Sequence, residues 1–198
     1  MILIIDNSKN YDHAKMTPKI VNILKKNDRK FRIINSKTTL LNLVNNNKNN
    51  IKGIILSGGP LCLSNPCNYR DLSKNYLALS LFENIPKLGI CFGFQIICDF
   101  YGSIIKKLKN INKGVRKVNL VNKNNFTLLK NLPTICNLFF SHNDYVINKP
   151  INFQALYYNN MILGIQNLEK KIYGFQFHPE GSKDGIKIIE NFINYCYN

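Results

Sequence analysis

Lys87-Leu88-Gly89-Ile90-Cys91-Phe92-Gly93-Phe94-Gln95 is the stretch on which the reading of this 198-residue chain turns. The short run Lys87 to Ile90 follows Pro86 and reads as a buried strand, and the segment from about 94 to 101 reads as a helix. Between them stands Gly89-Ile90-Cys91-Phe92-Gly93, a nucleophile on a sharp strand-to-helix turn. Glycines two residues to either side let strand and helix approach closely, while the turn strains the cysteine backbone and lifts its thiol above the sheet edge. The N-terminus of the following helix favours the thiolate, which is the reactive form. Taken alone, the pattern reads equally well as a buried structural cysteine.

Working outward, residues 1–6, 30–35 and 51–56 read as strands, with a helix at about 16–27 and another over 71–83. This alternation predicts an α/β fold, an open, mostly parallel twisted sheet with helices on both faces, flavodoxin- or Rossmann-like. From about 103 to 177 the texture changes to short runs: 103–105, 115–121, 137–140, 153–158, 161–165 and 172–177. These predict an antiparallel extension of the sheet. Ile186, Ile189, Phe192, Ile193 and Cys196 fall on one face of a C-terminal helix. An Asn-rich patch at 42–50 reads as a surface elaboration at a helix end. The length fits a single domain, 1–198, and no internal repeat is evident.

The chain carries 27 Lys plus Arg against 11 Asp plus Glu, a net charge of +16. The lysines are scattered in ones and twos among abundant asparagines rather than gathered with aromatics. Nucleic-acid binding is therefore not expected, whereas an acidic protein partner is compatible with the charge. No apolar run approaches the ~18 residues of a membrane span, and the opening Met1 to Asp6 lacks a basic secretory flank. A cytoplasmic setting follows as the expectation. The six cysteines include no Cys-x-x-Cys and there are three histidines, so neither a disulfide framework nor a zinc site is expected.

Three further motifs bear on Cys91. Phe175-Gln176-Phe177-His178-Pro179-Glu180 ends a predicted strand, and in extended chain residues i and i+2 project to one side. His178 is thereby predicted to face the thiol, with Glu180 orienting its imidazole. Ser57-Gly58-Gly59-Pro60 closes another strand, where a glycine-rich turn can aim backbone N–H groups at an oxyanion or form an ordinary turn. Ser141-His142-Asn143-Asp144 follows an apolar run and reads either as a substrate-facing segment or as a surface turn. His13 has no motif around it.

All four pieces, in this order and spacing, resemble the class I, triad-type glutamine amidotransferases, and the resemblance spans essentially the whole chain. It implies that Cys91 is the nucleophile, His178 the general base and then acid, and Glu180 its support. It further implies an oxyanion hole from the amides of Gly59 and Phe92, and a glutamine site formed by Gly58, Gln95, Asn143 and Asp144. No cofactor is implied for hydrolysis of L-glutamine to glutamate and ammonia, and a separate ammonia-accepting synthetase chain is. Gly-Ile-Cys-Phe-Gly-Phe-Gln, Ser-His-Asn-Asp and Lys171 to Phe175 look more like the glutaminase part of GMP synthetase. Component II of anthranilate or aminodeoxychorismate synthase and a non-catalytic regulatory relative are the alternatives. Phe94, Gly181 and the 42–50 patch depart from the family pattern.

Overall fold

The computed structural model describes residues 1–8, 16–35, 37–47 (backbone alone at 44–47), 50–65 and 72–198. Its elements run β1 (Ile2–Ile5), α1 (Met16–Lys26), β2 (Phe31–Ile34), α2 (Lys37–Asn47), β3 (Gly53–Leu56), α3 (Ser73–Leu81), β4 (Lys87–Ile90) and α4 (Phe92–Phe100). They continue with β5 (Ile105–Asn119), β6 (Ile135–Val146), β7 (Gln154–Tyr158), β8 (Met161–Asn167), β9 (Ile172–Phe175) and α5 (Lys183–Tyr197). His13 and Cys67 lie outside the described residues, as do positions 48–49 of the Asn-rich patch and position 71 of the expected third helix.

Seven strands form one sheet in the order β2-β1-β3-β4-β9-β8-β7, parallel from β2 to β9 and antiparallel thereafter. Inside the edge strand β2, which is partly exposed, the parallel strands β1, β3, β4 and β9 are buried on both faces, which is why they read as apolar runs. Along β1, Ile2 and Ile4 join the core on one face, while Leu3 and Ile5 join the core on the other. α4 is buried from Phe92 to Cys98 and, Gln95 apart, that stretch is apolar on every side. At the opposite end of β4, the Lys87 ammonium is buried and donates to the carbonyls of Phe82, Glu83 and Ile85 at the end of α3. Burial lowers its pKa to about 8 against the pull of Glu83.

The antiparallel expectation holds for β8 and β7, which extend the sheet beyond β9, but not for β5 and β6. Those two pair with each other as a long ribbon, and an isolated bridge joins Phe139 of β6 to His178, three residues beyond β9. The ribbon's inward side chains, among them Val118, Leu138 and Phe140, pack into the same core as Phe192 of α5, so burial holds it against the rest of the molecule. α4 starts at Phe92 rather than 94, because Gln95 N already bonds Cys91 O at 3.0 Å. α2 was not legible; buried Leu40 and Leu43, three apart, seat it, and the Asn-rich patch begins inside it. On α5 Ile189, Phe192, Ile193 and Cys196 are buried as the sequence pattern suggested, Ile188 joins them, and Ile186 packs partly buried against the same core.

Candidate active site

Cys91 sits between β4 and α4 with φ 50° and ψ −101°, a backbone state that L residues rarely adopt. Holding it costs about 1–3 kcal/mol. The hold comes from both sides of the turn. Cys91 N donates to Phe175 O at 2.8 Å. A Cβ on Gly93 would lie 2.2 Å from Leu56 O, and one on Gly89 would lie 2.7 Å from Gly93 O. Only glycines permit helix and strands to pack this tightly. The sulfur emerges 3.6 Å from Ser141 O and 3.9 Å from Gln176 Nε2.

His178 and Glu180 meet as anticipated, but by a different route. β9 ends at Phe175, and His178 is pinned when its N–H donates to Phe139 O at 2.8 Å. The chain then enters a 3-10 turn at Pro179–Gly181, so an extended i, i+2 geometry does not explain the pair. The turn swings Glu180 back until its Oε1 accepts from His178 Nδ1 at 2.8 Å, with both side chains buried. Gly181 follows the carboxylate because a Cβ there would come within 2.8 Å of the Phe139 ring. Burial alone would lower the imidazole pKa. Cys91 and then Glu180, through charge and hydrogen bonding, outweigh it and hold His178 well above its ordinary value. With Nδ1 on Glu180, Nε2 is the ring nitrogen left for the sulfur.

In front of the sulfur lies a cavity of about 130 Å³, smaller than sites for drug-sized ligands and suited to one small polar molecule. Gly58, Gly59, Cys91, Phe92, Gln95 and His178 line one side, and Ser141 to Asp144 line the other. Glu180 alone of the anticipated residues stands behind this wall. Because Gln95 N makes the first helical bond, the Phe92 amide has no carbonyl partner within α4. Gly58 backs the imidazole, since a Cβ on it would fall 2.6 Å from His178 Cε1.

Ser141 to Asp144 are not a surface turn; they belong to β6. Asn143 is exposed at the rim, whereas both Asp144 carboxylate oxygens already accept from Ser64, at 2.9 Å from its N and 2.7 Å from its Oγ. Gln95 Nε2 donates to Asp144 O at 2.9 Å and to Gln176 Oε1 at 3.2 Å. These groups therefore brace the cavity wall. His142 donates from Nδ1 to Asp144 O at 2.8 Å, and its Nε2 faces the Asn112 amide at 3.1 Å. Burial lowers its pKa, so the neutral tautomer suits this arrangement. Among the described residues no group of three His, Cys, Asp or Glu is placed to hold a metal.

The profile of the family "Glutamine amidotransferase class-I" matches residues 3–195. The chain belongs to the class I glutamine amidotransferases. It is 36% identical over 202 residues to the glutamine-hydrolysing GMP synthase subunit of Methanococcus aeolicus, covering 99% of this chain and 97% of that one. The corresponding subunit of Methanocaldococcus jannaschii is 34% identical over 201 residues, with 99% and 97% covered. Against the longer GMP synthase of Ehrlichia canis the match is 35% over 150 residues, 72% of this chain but only 28% of that protein. Among solved structures, a Thermoplasma acidophilum protein described as the same GMP synthase subunit superposes with TM-score 0.79 at 26% identity, covering 99% of this chain and 93% of that one. A Thermotoga maritima glutamine amidotransferase, at 21% identity and TM-score 0.69 over 98% and 80% of the two chains, shares the fold.

Several residues of this amidotransferase site gave no sequence signal. Asn7, just past β1, donates its N–H to Ser57 Oγ at 2.9 Å and its Nδ2 to Ser57 O at 2.9 Å, tying down the glycine turn. A Cβ on Gly59 would lie 2.6 Å from Asn7 O, so this turn is as tightly packed as the elbow. Ser64 and Gln176 were likewise not singled out, although Gln176 stands within the quoted His178 motif. The bulk of Phe94 is accommodated by Gly174, whose missing Cβ would fall 2.9 Å from the Phe94 ring. No helix among the described residues is long and apolar enough to cross a membrane.

Proposed function

We propose that the chain hydrolyses L-glutamine through a Cys91-His178-Glu180 triad and delivers the ammonia to a separate synthetase chain, that of GMP synthase. The observation carrying this reading is the strained Cys91 at the strand–helix turn, its sulfur beside an imidazole that Glu180 holds at 2.8 Å. Cys91 thiolate attacks the carbon of the side-chain amide, and the amides of Gly59 and Phe92 receive the oxyanion. The C–N bond breaks as His178 gives its proton to the departing nitrogen, leaving a glutamyl thioester and ammonia. Neutral His178 then takes a proton from water, which attacks the thioester and releases glutamate and the thiolate. No metal or organic cofactor is needed for either step. The cavity size favours an amino-acid side chain as the group bound there.

Near-complete coverage of two-chain relatives supports the synthetase assignment over the anthranilate-type alternative, as do Ser141 to Asp144 in the cavity wall. The intact dyad argues against a non-catalytic role. The test is glutamine-dependent GMP formation from XMP and ATP when this chain is mixed with the synthetase chain of the same organism. Product formation on glutamine, lost in Cys91→Ala but retained on ammonium, is expected. Glutamine turnover without transfer to XMP would leave the hydrolysis and remove the acceptor.

A further inference from the structure

We infer that the outward face of the β5–β6 ribbon is the docking surface for the ammonia-accepting chain, and that this partner meets it with an acidic, partly apolar surface. The inference rests on the preceding reading that ammonia goes to a separate chain.

Charge is the first ground. β5 exposes Lys106, Lys107, Lys109, Lys113, Arg116 and Lys117, and no Asp or Glu occurs in sequence between Asp99 and Asp144. Among the described residues no carboxylate lies within ion-pair distance of any of the six. Asp184, which does reach the ribbon, accepts from Asn137 N at 2.8 Å instead. Like charges so crowded on one strand repel, and an acidic surface relieves that repulsion.

Apolar side chains are the second ground. Ile111, Val115 and Ile135 are 55%, 61% and 51% exposed, interleaved with these cations. The register sets Val115 opposite Phe139 and Asn119 opposite Ile135, so Val115, Phe139 and Ile135 share one face, with Lys113 and Lys117 on the same side. A patch of β-branched side chains ringed by unpaired charge has the make-up of an interface, not of a surface that meets only water.

Position is the third. The register slips between Lys107 and Asn112, leaving residues 108–111 as a bulge, and Ile111 lines the cavity together with Ser141 and Asn143. The Phe139 ring, on the outward face, stands 6.0 Å from the His178 imidazole, centroid to centroid. A partner seated on the ribbon therefore covers the cavity mouth. Ammonia released at Cys91 then enters the partner before bulk water can protonate it.

The test uses the full chain with the separately produced synthetase chain of GMP synthase from the same organism. The double variant Lys113→Glu/Lys117→Glu is compared with Lys25→Glu/Lys26→Glu on α1, and thermal melting confirms that each is folded. The ribbon variant should bind the synthetase at least about tenfold more weakly, while wild-type binding weakens as salt rises. Glutamine-dependent synthesis should fall in parallel, with ammonium-dependent synthesis unchanged, and the α1 variant should behave as wild type. Wild-type coupling by the ribbon variant, or equal loss in the α1 variant, overturns the docking surface alone. So does loss of RNA binding by the ribbon variant with synthetase binding intact. A wild-type chain that neither binds nor feeds the synthetase overturns the acceptor reading itself, and the docking surface with it.

Discussion

The parallel strands and the β5–β6 ribbon meet at Cys91, yet they are built on opposite principles. β1, β3 and β4 are four residues each and buried throughout, with glycines marking where backbones touch. β5 and β6 are fifteen and twelve residues long, largely exposed on the outward side, and interrupted by a register slip. The strained, charge-coupled groups, Cys91 and His178, stand at the ends of the buried strands. The ribbon supplies the opposing wall through Ser141 to Asp144. Rigidity around the thiol and the open side of the cavity thus belong to different parts of the fold.

If that division holds, substitutions in the buried half should act on the chemical step and those at the wall on binding. The largest effect is expected from Cys91→Ala, a loss of at least roughly 10⁴-fold in glutaminase kcat with the melting temperature kept. Cys91→Gly should be as inactive yet more stable than Cys91→Ala by about 1 kcal/mol, because glycine adopts this backbone state without strain. Equal stability of the two would show that the elbow stores no strain.

Glu180→Gln is expected to lower kcat/KM by roughly 10²-fold and to move the His178 titration down towards its ordinary value near 6.5. NMR of the imidazole and the pH–rate profile both read this shift. In the wild type, the folded imidazole titrates above its unfolded value. The stability it contributes is therefore complete below about pH 6.5 and is lost as pH rises through the raised folded value. Glu180→Gln should flatten that decline, and an unchanged slope would remove Glu180 from the account.

A glycine pair sharpens the contrast further. Gly93→Ala drives a Cβ to 2.2 Å from Leu56 O and should cost about 3 kcal/mol or more. Gly114→Ala on the ribbon meets nothing within 4 Å at φ 117° and should cost only its backbone strain, about 1–2 kcal/mol. Denaturant unfolding measures both. The smallest effect is expected from Ser64→Ala, which removes the 2.7 Å bond to Asp144 Oδ1 but leaves the backbone bond. It should raise KM about fivefold with kcat little changed, on the scale of about 1 kcal/mol for one ordinary hydrogen bond, since the backbone bond to the carboxylate remains. A kcat loss with KM intact would move Asp144 from the wall to the chemistry.

The same contrast explains what could be read from sequence. Strands buried on both faces leave continuous apolar runs, so Ile2–Ile5, Gly53–Leu56 and Lys87–Ile90 were found nearly to the residue. The elbow and the His178 motif were legible because each constraint is local. β5 was not legible as one strand, since its exposed lysines follow no alternation, and only its first residue, within the run 103–105, and a piece beginning at Val115 read as strand. Ser64 was missed because its partner Asp144 is eighty residues away and neither stands in a motif that links them. His178 and Glu180 pair across the 3-10 turn at Pro179–Gly181, not along an extended strand, so the i, i+2 spacing predicts the pair but not its geometry.

Two thiols, Cys91 and Cys62, line the same cavity, and the proposed mechanism makes Cys91 the nucleophile. The direct measurement is peptide-level mass spectrometry after labelling with an electrophilic glutamine analogue, in the presence of the synthetase chain. One adduct per chain, on Cys91, blocked by glutamine and absent from Cys91→Ala, is predicted. An adduct on Cys62, or labelling of Cys91 that glutamine does not protect against, would contradict the mechanism.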